Sequence, residues 1–349
     1  MYDSVDGFVA RRGLNLGGWL SQSDLSEAHV ATFVGQADID TIAGWGFDHV
    51  RVPLDWHYVM DNNVVRQGAA AKLRDLDSWA EAAGVRYILD LHETPEHTFE
   101  RRDNARWNDA ARLHLISGFW IRLLEELPDT ERLSIDLLNE PTTRDPSRWT
   151  DISSHLIEEI RRVRPSTWII VEGINRGAPS AWAEMSVPDE RCVLGIHFYE
   201  PIAFTHQRAH WSEVLPYSNR SQQYPGELVS TAEPVPEEFS HCFDRTWDRA
   251  ELLTLIAPAA ERARAMGVPI HCGEFGAFLT ASSESRYAWL RDVLAVFSYL
   301  GIGWCYWSYR NMGFGVVYDE GEFAELPEYV GEIDRTLLSI LVGPRDNGG

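Results

Sequence analysis

EAAGVRYILDLH (81–92) sets the reading of this chain. Its first half is amphipathic and stops at Gly84. Its second half is apolar on consecutive residues, Tyr87-Ile88-Leu89, and closes on His92. Glycine after a helix supplies the left-handed C-terminal turn. An uninterrupted apolar run a few residues later fits a parallel strand covered on both faces, which has no polar side to alternate with. The same unit recurs in IAGWGFDHVRVPL (42–54), RRVRPSTWIIVEG (161–173), RARAMGVPIHCGEF (262–275) and YLGIGWCYWSY (299–309). Short connections of this kind are normal between helices and strands of α/β units.

Working outward, apolar runs give eight strand candidates: 13–17, 49–54, 86–92, 133–140, 168–173, 193–199, 270–275 and 303–309. Helical stretches lie between them. The clearest is 107–127, with Leu113, Ile116, Trp120, Leu123, Leu124 and Leu127 on one stripe and Arg112, Arg122, Glu125 and Glu126 off it. Eight strands alternating with helices predict an α/β fold, a (β/α)8 TIM barrel, which takes roughly 250 residues. The chain has 349, so the surplus must sit in insertions. The obvious one is 200–245 after the sixth strand, rich in Pro, Ser, His and aromatics. With no linker and no repeat, residues 1–349 are read as a single catalytic domain, and the tail after Leu341 as loose. An open doubly wound sheet would want a phosphate loop after an early strand, and RGLNLGGWL (12–20) does not match GxGxxG.

Composition narrows the partners. Lys plus Arg number 31 against 53 Asp plus Glu, a net charge of −22, which repels polyanions and argues against nucleic acid. No run of 18 apolar residues exists, so no membrane span is expected, and a monomer is expected. The start, MYDSVDGFVARRG, lacks a signal peptide's charged and apolar regions. The protein is therefore expected in the cytoplasm if Met1 is the natural start, and outside the cell if a signal has been trimmed. Cys192, Cys242, Cys272 and Cys305 form no CxxC and read as reduced, mostly buried thiols. The 14 Trp are mostly large core residues, with some left to stack on flat apolar faces such as sugar rings.

In a barrel, function collects at the C-terminal ends of strands. Those ends carry Arg51, His92, Asn139-Glu140-Pro141, His197-Phe198-Tyr199, Gly273-Glu274-Phe275 and Trp307-Ser308-Tyr309. A carboxylate closing a buried strand is expensive unless paired or used. Glu140 and Glu274 close strands four and seven, on opposite sides of the mouth. Two facing carboxyls can protonate a leaving oxygen and attack an anomeric carbon. A separation of about 5–5.5 Å gives retention of configuration, and ~6.5–9.5 Å gives inversion.

RGLNLGGWL (12–20), HVRVP (49–53), LDLHETP (89–95), LLNEP (137–141), HFYEPIAFTHQRAHW (197–211), GEFGAF (273–278) and GWCYWSY (303–309) together resemble glycoside hydrolase family 5, the cellulase-like retaining hydrolases. The resemblance implies a retaining β-glycosidase without metal or organic cofactor, acting on a β-glucan or β-gluco-oligosaccharide. β-Mannan or manno-oligosaccharide cleavage is the alternative, and an inactive carbohydrate-binding barrel a further one. By position, Glu140 resembles the family's acid/base and Glu274 its nucleophile. Asn139 resembles the residue that binds the sugar 2-hydroxyl. Arg51 and Tyr199 resemble the partners that hold the nucleophile ionised, and His92 and His197 the two active-site histidines. Trp307 resembles the aromatic floor. Trp211 and His206, in the insertion, join the list as substrate contacts. An arginine favours a charged carboxylate, whereas the acid is expected to need a raised pKa. Two positions depart from the family pattern: Glu93 where His or Asn is common, which adds a third acidic group near the mouth and alters the sugar contacts expected there, and Arg208 where Gly is common, for which a different loop backbone is expected.

His92-Glu93-Thr94-Pro95-Glu96-His97 has one residue too many for HExxH, and Pro95 disfavours the helix such a metal site needs. No GxSxG elbow is present. Trp19, Trp56, Trp107 and Trp304 are candidate sugar platforms that read equally well as packing.

Overall fold

The computed structural model describes residues 7–95, 110–143, 145–319 and 333–343. Eight parallel strands close into a barrel. They are β1 (Arg12–Asn15), β2 (His49–Asp55), β3 (Arg86–Glu93), β4 (Leu133–Asp136), β5 (Trp168–Glu172), β6 (Cys192–Phe198), β7 (Ile270–Phe275) and β8 (Gly303–Tyr306). Each pairs with its chain neighbours, and β1 closes the ring on β8. All eight expected strands are present. Those expected at 133–140 and 303–309 stop earlier, so that Asn139, Glu140 and Trp307 stand on the loops just beyond the strands.

The outer layer is α1 (Gln36–Trp45), α2 (Gln67–Ala83), α3 (Ala110–Glu126), α4 (Pro146–Arg161), α5 (Arg249–Met266), α6 (Ser283–Leu300) and α7 (Arg335–Val342). The residues of the expected 107–127 helix that precede Ala110, Trp107 among them, lie outside the described residues, as does the tail from 344. α2 ends as its sequence predicts: Gly84 takes φ 71 and returns its N–H to Ala80 and Glu81 carbonyls. One helix is missing from the ideal pattern. Between β5 and β6 the chain makes only the turn Ile174–Gly177 and the 3-10 turn Pro179–Ala183. α5 packs against that 3-10 turn instead.

Tryptophan binds the layers together. Trp120, Trp149, Trp182 and Trp289 are fully buried, and a buried indole N–H needs an acceptor. Trp120 on α3 donates to the Leu137 carbonyl, and Trp149 on α4 to that of Glu172. Trp182 donates to the Gly195 carbonyl, and Trp289 on α6 to that of Glu200. Each bond, of 2.9 Å, joins the outer layer to a barrel strand or to the loop just beyond one.

Residues 200–245 run from the end of β6 toward α5, with short helical turns at Ile202–Thr205, Leu215–Tyr217 and Glu237–Ser240. They lean over the β7 and β8 side of the mouth, where the Phe278 N–H donates to the Thr205 carbonyl. Arg208 holds φ 56, in the left-handed region that favours glycine. The four cysteines are buried and free, as their spacing predicts. Among the described residues no helix is long and apolar enough to cross a membrane.

Candidate active site

Strand register assembles the site. Asn15 lies beside Arg51, Asp90 beside Asp136, and Glu274 beside His197. All six point their chemistry into the C-terminal end of the barrel, around the fully buried Arg51 guanidinium. Arg51 Nη1 donates to Glu274 Oε1 at 2.8 Å and to Asn15 Oδ1 at 3.0 Å. Nη2 donates to Asn139 Oδ1 at 3.0 Å and Glu172 Oε1 at 3.1 Å, and lies 3.0 Å from Asp90 Oδ2. Nε donates to Asp136 Oδ2 at 3.1 Å. Burial alone would make this cation easier to lose. Asp90, Asp136, Glu274 and Glu172 outweigh that and hold it firmly charged.

Glu274 is gripped from two sides, by Arg51 and by the Tyr199 hydroxyl, which donates to Oε2 at 3.0 Å. Burial, Glu274 and Glu140 push the Tyr199 phenol well above its usual range, so it stays a donor. Glu140 sits at φ 46, a left-handed conformation that costs a non-glycine residue of order 1–3 kcal/mol. Its N–H donates to Glu172 Oε2 at 2.7 Å, and the Asn139 N–H before it donates to the Leu91 carbonyl at 3.0 Å, so both neighbours pin the turn.

His197 stands between the carboxylates. Its Nδ1 is 3.0 Å from Glu140 Oε1 and 3.8 Å from Glu274 Oε2. Its Nε2 is 2.9 Å from Glu172 Oε1, an ion-pair contact whose angle falls short of a good hydrogen bond. One ligating atom each of Glu140, His197 and Glu274 lie within 4.8 Å of one another. Close approach to β7 depends on Gly273, where a Cβ would sit 2.9 Å from His197 Nε2. Burial would discharge the imidazole. Glu172, Glu274 and Glu140 reverse that and raise His197 well above its ordinary value.

The acid's expected raised pKa is not what this site displays. Burial pushes Glu140 up, but the hydrogen bond and charge of His197 outweigh it and lower Glu140. His92, raised overall, is drawn down by burial and up by Asp90, whose Oδ2 lies 2.7 Å from Nδ1. Its ring stacks with Trp307 at 5.7 Å and 10°. His206 meets the Tyr199 ring edge-on at 5.0 Å, and burial drops it to about 4.

Trp211 is 42% exposed and rests edge-on against Phe278 at 4.7 Å; Phe278 itself belongs to the buried group that includes Trp307 and Phe314. Trp19, Trp56 and Trp304 are buried in the main core, the packing reading of the two; Trp307 is as buried, at 6%, but lies in the separate cluster at the mouth against which Tyr199 packs. Glu93 is partly exposed at the end of β3, and Glu96 and His97 lie outside the described residues.

Sequence reasoning missed three buried acids, Asp90, Asp136 and Glu172. Each is a lone carboxylate in an otherwise apolar strand (YILDL, LSIDLL, IIVEG). That isolation was the available signal.

The fold and site together define a closed parallel (β/α)8 barrel whose carboxylates, arginine, histidines and tryptophan converge at the C-terminal strand ends. Comparison with known proteins narrows it. The family model for Cellulase (glycosyl hydrolase family 5) matches residues 16–313. Endoglucanase C of Acetivibrio thermocellus is 31% identical over 318 residues, spanning 88% of this chain and 93% of the relative. Cellodextrinase A of Ruminococcus flavefaciens is 30% identical, spanning 83% of each. Structures of Thermotoga maritima Cel5A with cellobiose and with mannotriose share the fold, with TM-scores of 0.73 and 0.74 at 22% identity, covering 97% of this chain and 100% of theirs. The chain belongs to glycoside hydrolase family 5 and is a glycoside hydrolase.

Proposed function

We propose that this enzyme hydrolyses β-glucosidic linkages in β-glucans or β-gluco-oligosaccharides, with retention, in a single catalytic domain that 200–245 extends over the mouth. The observation that carries the reading is the approach of Glu140 and Glu274. Their nearest oxygens, within 4.8 Å around His197, fit the short carboxyl separation of a double displacement better than the gap that inversion needs for a water. Relatives named endoglucanase and cellodextrinase support a β-glucan substrate over β-mannan.

In this reading Glu274, oriented by Arg51 and Tyr199, attacks the anomeric carbon while Glu140 gives a proton to the leaving oxygen. Glu140 then takes a proton from water, which displaces Glu274 from the sugar. Asn139 gives Oδ1 to Arg51, which holds its side chain at the mouth beside Glu140, where it contacts the 2-hydroxyl. Trp307, stacked on His92, forms the floor, and Trp211 with His206 contacts sugars on the insertion side.

The test is a substrate panel of β-1,3-, β-1,4- and β-1,6-glucans, mannan, and aryl glucosides and mannosides, with the first-formed anomer followed by NMR. Retained products from a glucan are expected. Turnover only on mannan would replace the substrate, and binding without turnover on any sugar would make the barrel a binding protein. Glu274→Ala is expected to abolish turnover, with azide restoring formation of a glycosyl azide of inverted configuration. Near-normal rates in both Glu274→Ala and Glu140→Ala would sink the assignment.

A further inference from the structure

We propose that Glu172 is a positioning residue of this site: it fixes the backbone of Glu140 and, through His197, holds the proton that Glu140 delivers to the leaving oxygen. The proposal rests on the reading of Glu140 as the acid/base.

Glu172 ends β5, is buried, and uses both oxygens. Oε2 accepts the Glu140 N–H at 2.7 Å, and Oε1 meets Arg51 Nη2 at 3.1 Å and His197 Nε2 at 2.9 Å. One carboxylate thus touches the left-handed turn that aims Glu140, the arginine that aims Glu274, and the imidazole between them. Burial would raise Glu172, but His197 and Arg51 hold it down to about 2, so it stays an anion.

An anion at Nε2 favours the doubly protonated ring. In the substrate-free site that places a proton on Nδ1, 3.0 Å from Glu140 Oε1, and explains why Glu140 is lowered rather than raised. During attack the proton passes from Nδ1 to Oε1, and on to the glycosidic oxygen as its bond to the anomeric carbon breaks. His197 keeps the nitrogen electron pair and becomes neutral. In the second step the proton taken from water restores the imidazolium–carboxylate pair, so protons balance over the cycle.

Other charges face this pair, and their arrangement does not remove the effect. Arg51 from β2 is neutralised by four carboxylates. Burial and Glu172 raise Asp136 from β4 well above its usual range, against the pull of Arg51. Asp90 from β3 is shared between Arg51 and His92. Glu274 from β7 adds a second negative neighbour at 3.8 Å from Nδ1. His271 from β7 is lowered well below its ordinary value, by burial first and then by Arg51 and His197 among its neighbours. Arg176, beyond β5, lowers Glu140 and His206 alike.

The experiment is Glu172→Gln, with Glu172→Asp as the conservative variant and Tm to confirm folding. kcat/KM is measured against pH on a natural oligosaccharide and on an activated aryl glycoside whose leaving group needs little acid assistance. The oligosaccharide rate is expected to fall on the order of 10²-fold, the activated substrate to fall far less, and the alkaline limb to move down by about one pH unit. Glu172→Asp is expected to recover part of both. Equal losses on the two substrates, or an unmoved alkaline limb, would reduce Glu172 to a structural ion-pair partner and overturn the proposal. The azide experiment with Glu274→Ala tests the underlying reading separately. If it gives inverted azide while Glu172→Gln behaves as wild type, only the role of Glu172 is lost.

Discussion

Arg51 shows what one side chain does when burial and charge compete. It satisfies four carboxylates and two amide oxygens with no exposure to water. Breaking such a cluster by removing one partner leaves uncompensated buried charge. Arg51→Met is therefore expected to cost about 3–5 kcal/mol in urea unfolding and to abolish turnover; a loss below 1 kcal/mol would contradict the buried network. His206 allows a pH experiment. Its folded value of about 4 lies below the ordinary ~6.5, so between those values the unfolded chain binds a proton that the folded one does not. Stability contributed by the neutral ring is present above pH ~6.5 and lost as pH falls toward ~4, by at most about 3 kcal/mol for a ring that keeps some solvent contact. His206→Asn is expected to flatten the stability–pH slope in that window alone. Most of the first contacts around the two glutamates were legible in the sequence, because each closes an apolar strand. Asp90, Asp136 and Glu172 were not, because a single acid inside an apolar run gives no hint of which partner, strands away, neutralises it.

At the scale of elements, the strands were readable because two-sided burial leaves a continuous apolar run. Helix ends were readable because glycine marks them. The short β5–β6 connection escaped, since Pro179–Ala183 carries no periodicity that separates a 3-10 turn from a helix start. Arg208 takes the glycine-favouring backbone region without being glycine, and its guanidinium donates to the Thr280 carbonyl at 2.6 Å, an anchor that its position in the sequence does not reveal. The indole bonds to strand ends yield a prediction here. Trp149→Phe keeps the ring packing of α4 but strips the Glu172 carbonyl of its donor, which is expected to cost about 1–3 kcal/mol by urea unfolding. Trp211 is the contrasting case. Trp211→Ala is expected to change stability by less than ~0.5 kcal/mol and to raise KM for long glucans more than for disaccharides. An equal effect on both would place Trp211 outside the sugar path.

Across the whole molecule, the −22 net charge is carried by far more acids than the handful inside the barrel. Among the described residues the barrel's interior acids are paired, Asp77 and Asp334 are buried against Arg132 and Arg286, and most of the other acids reach the surface. Barrel closure gathers residues from Asn15 to Trp307 at one end, so the site depends on the complete ring rather than on any contiguous segment. The tryptophans give this architecture an optical signature. Trp19, Trp120, Trp149, Trp182, Trp247 and Trp289 are sealed in the interior, and among the described residues Trp211 is the one exposed indole. Trp45 and Trp79 are partly exposed, so fluorescence should divide into a large fraction that acrylamide barely quenches and a smaller one, Trp211 included, that it quenches more readily. A bound oligosaccharide that covers Trp211 should shield its share of that fraction, a loss that Trp211→Phe should abolish, giving a label-free titration of occupancy that needs no turnover.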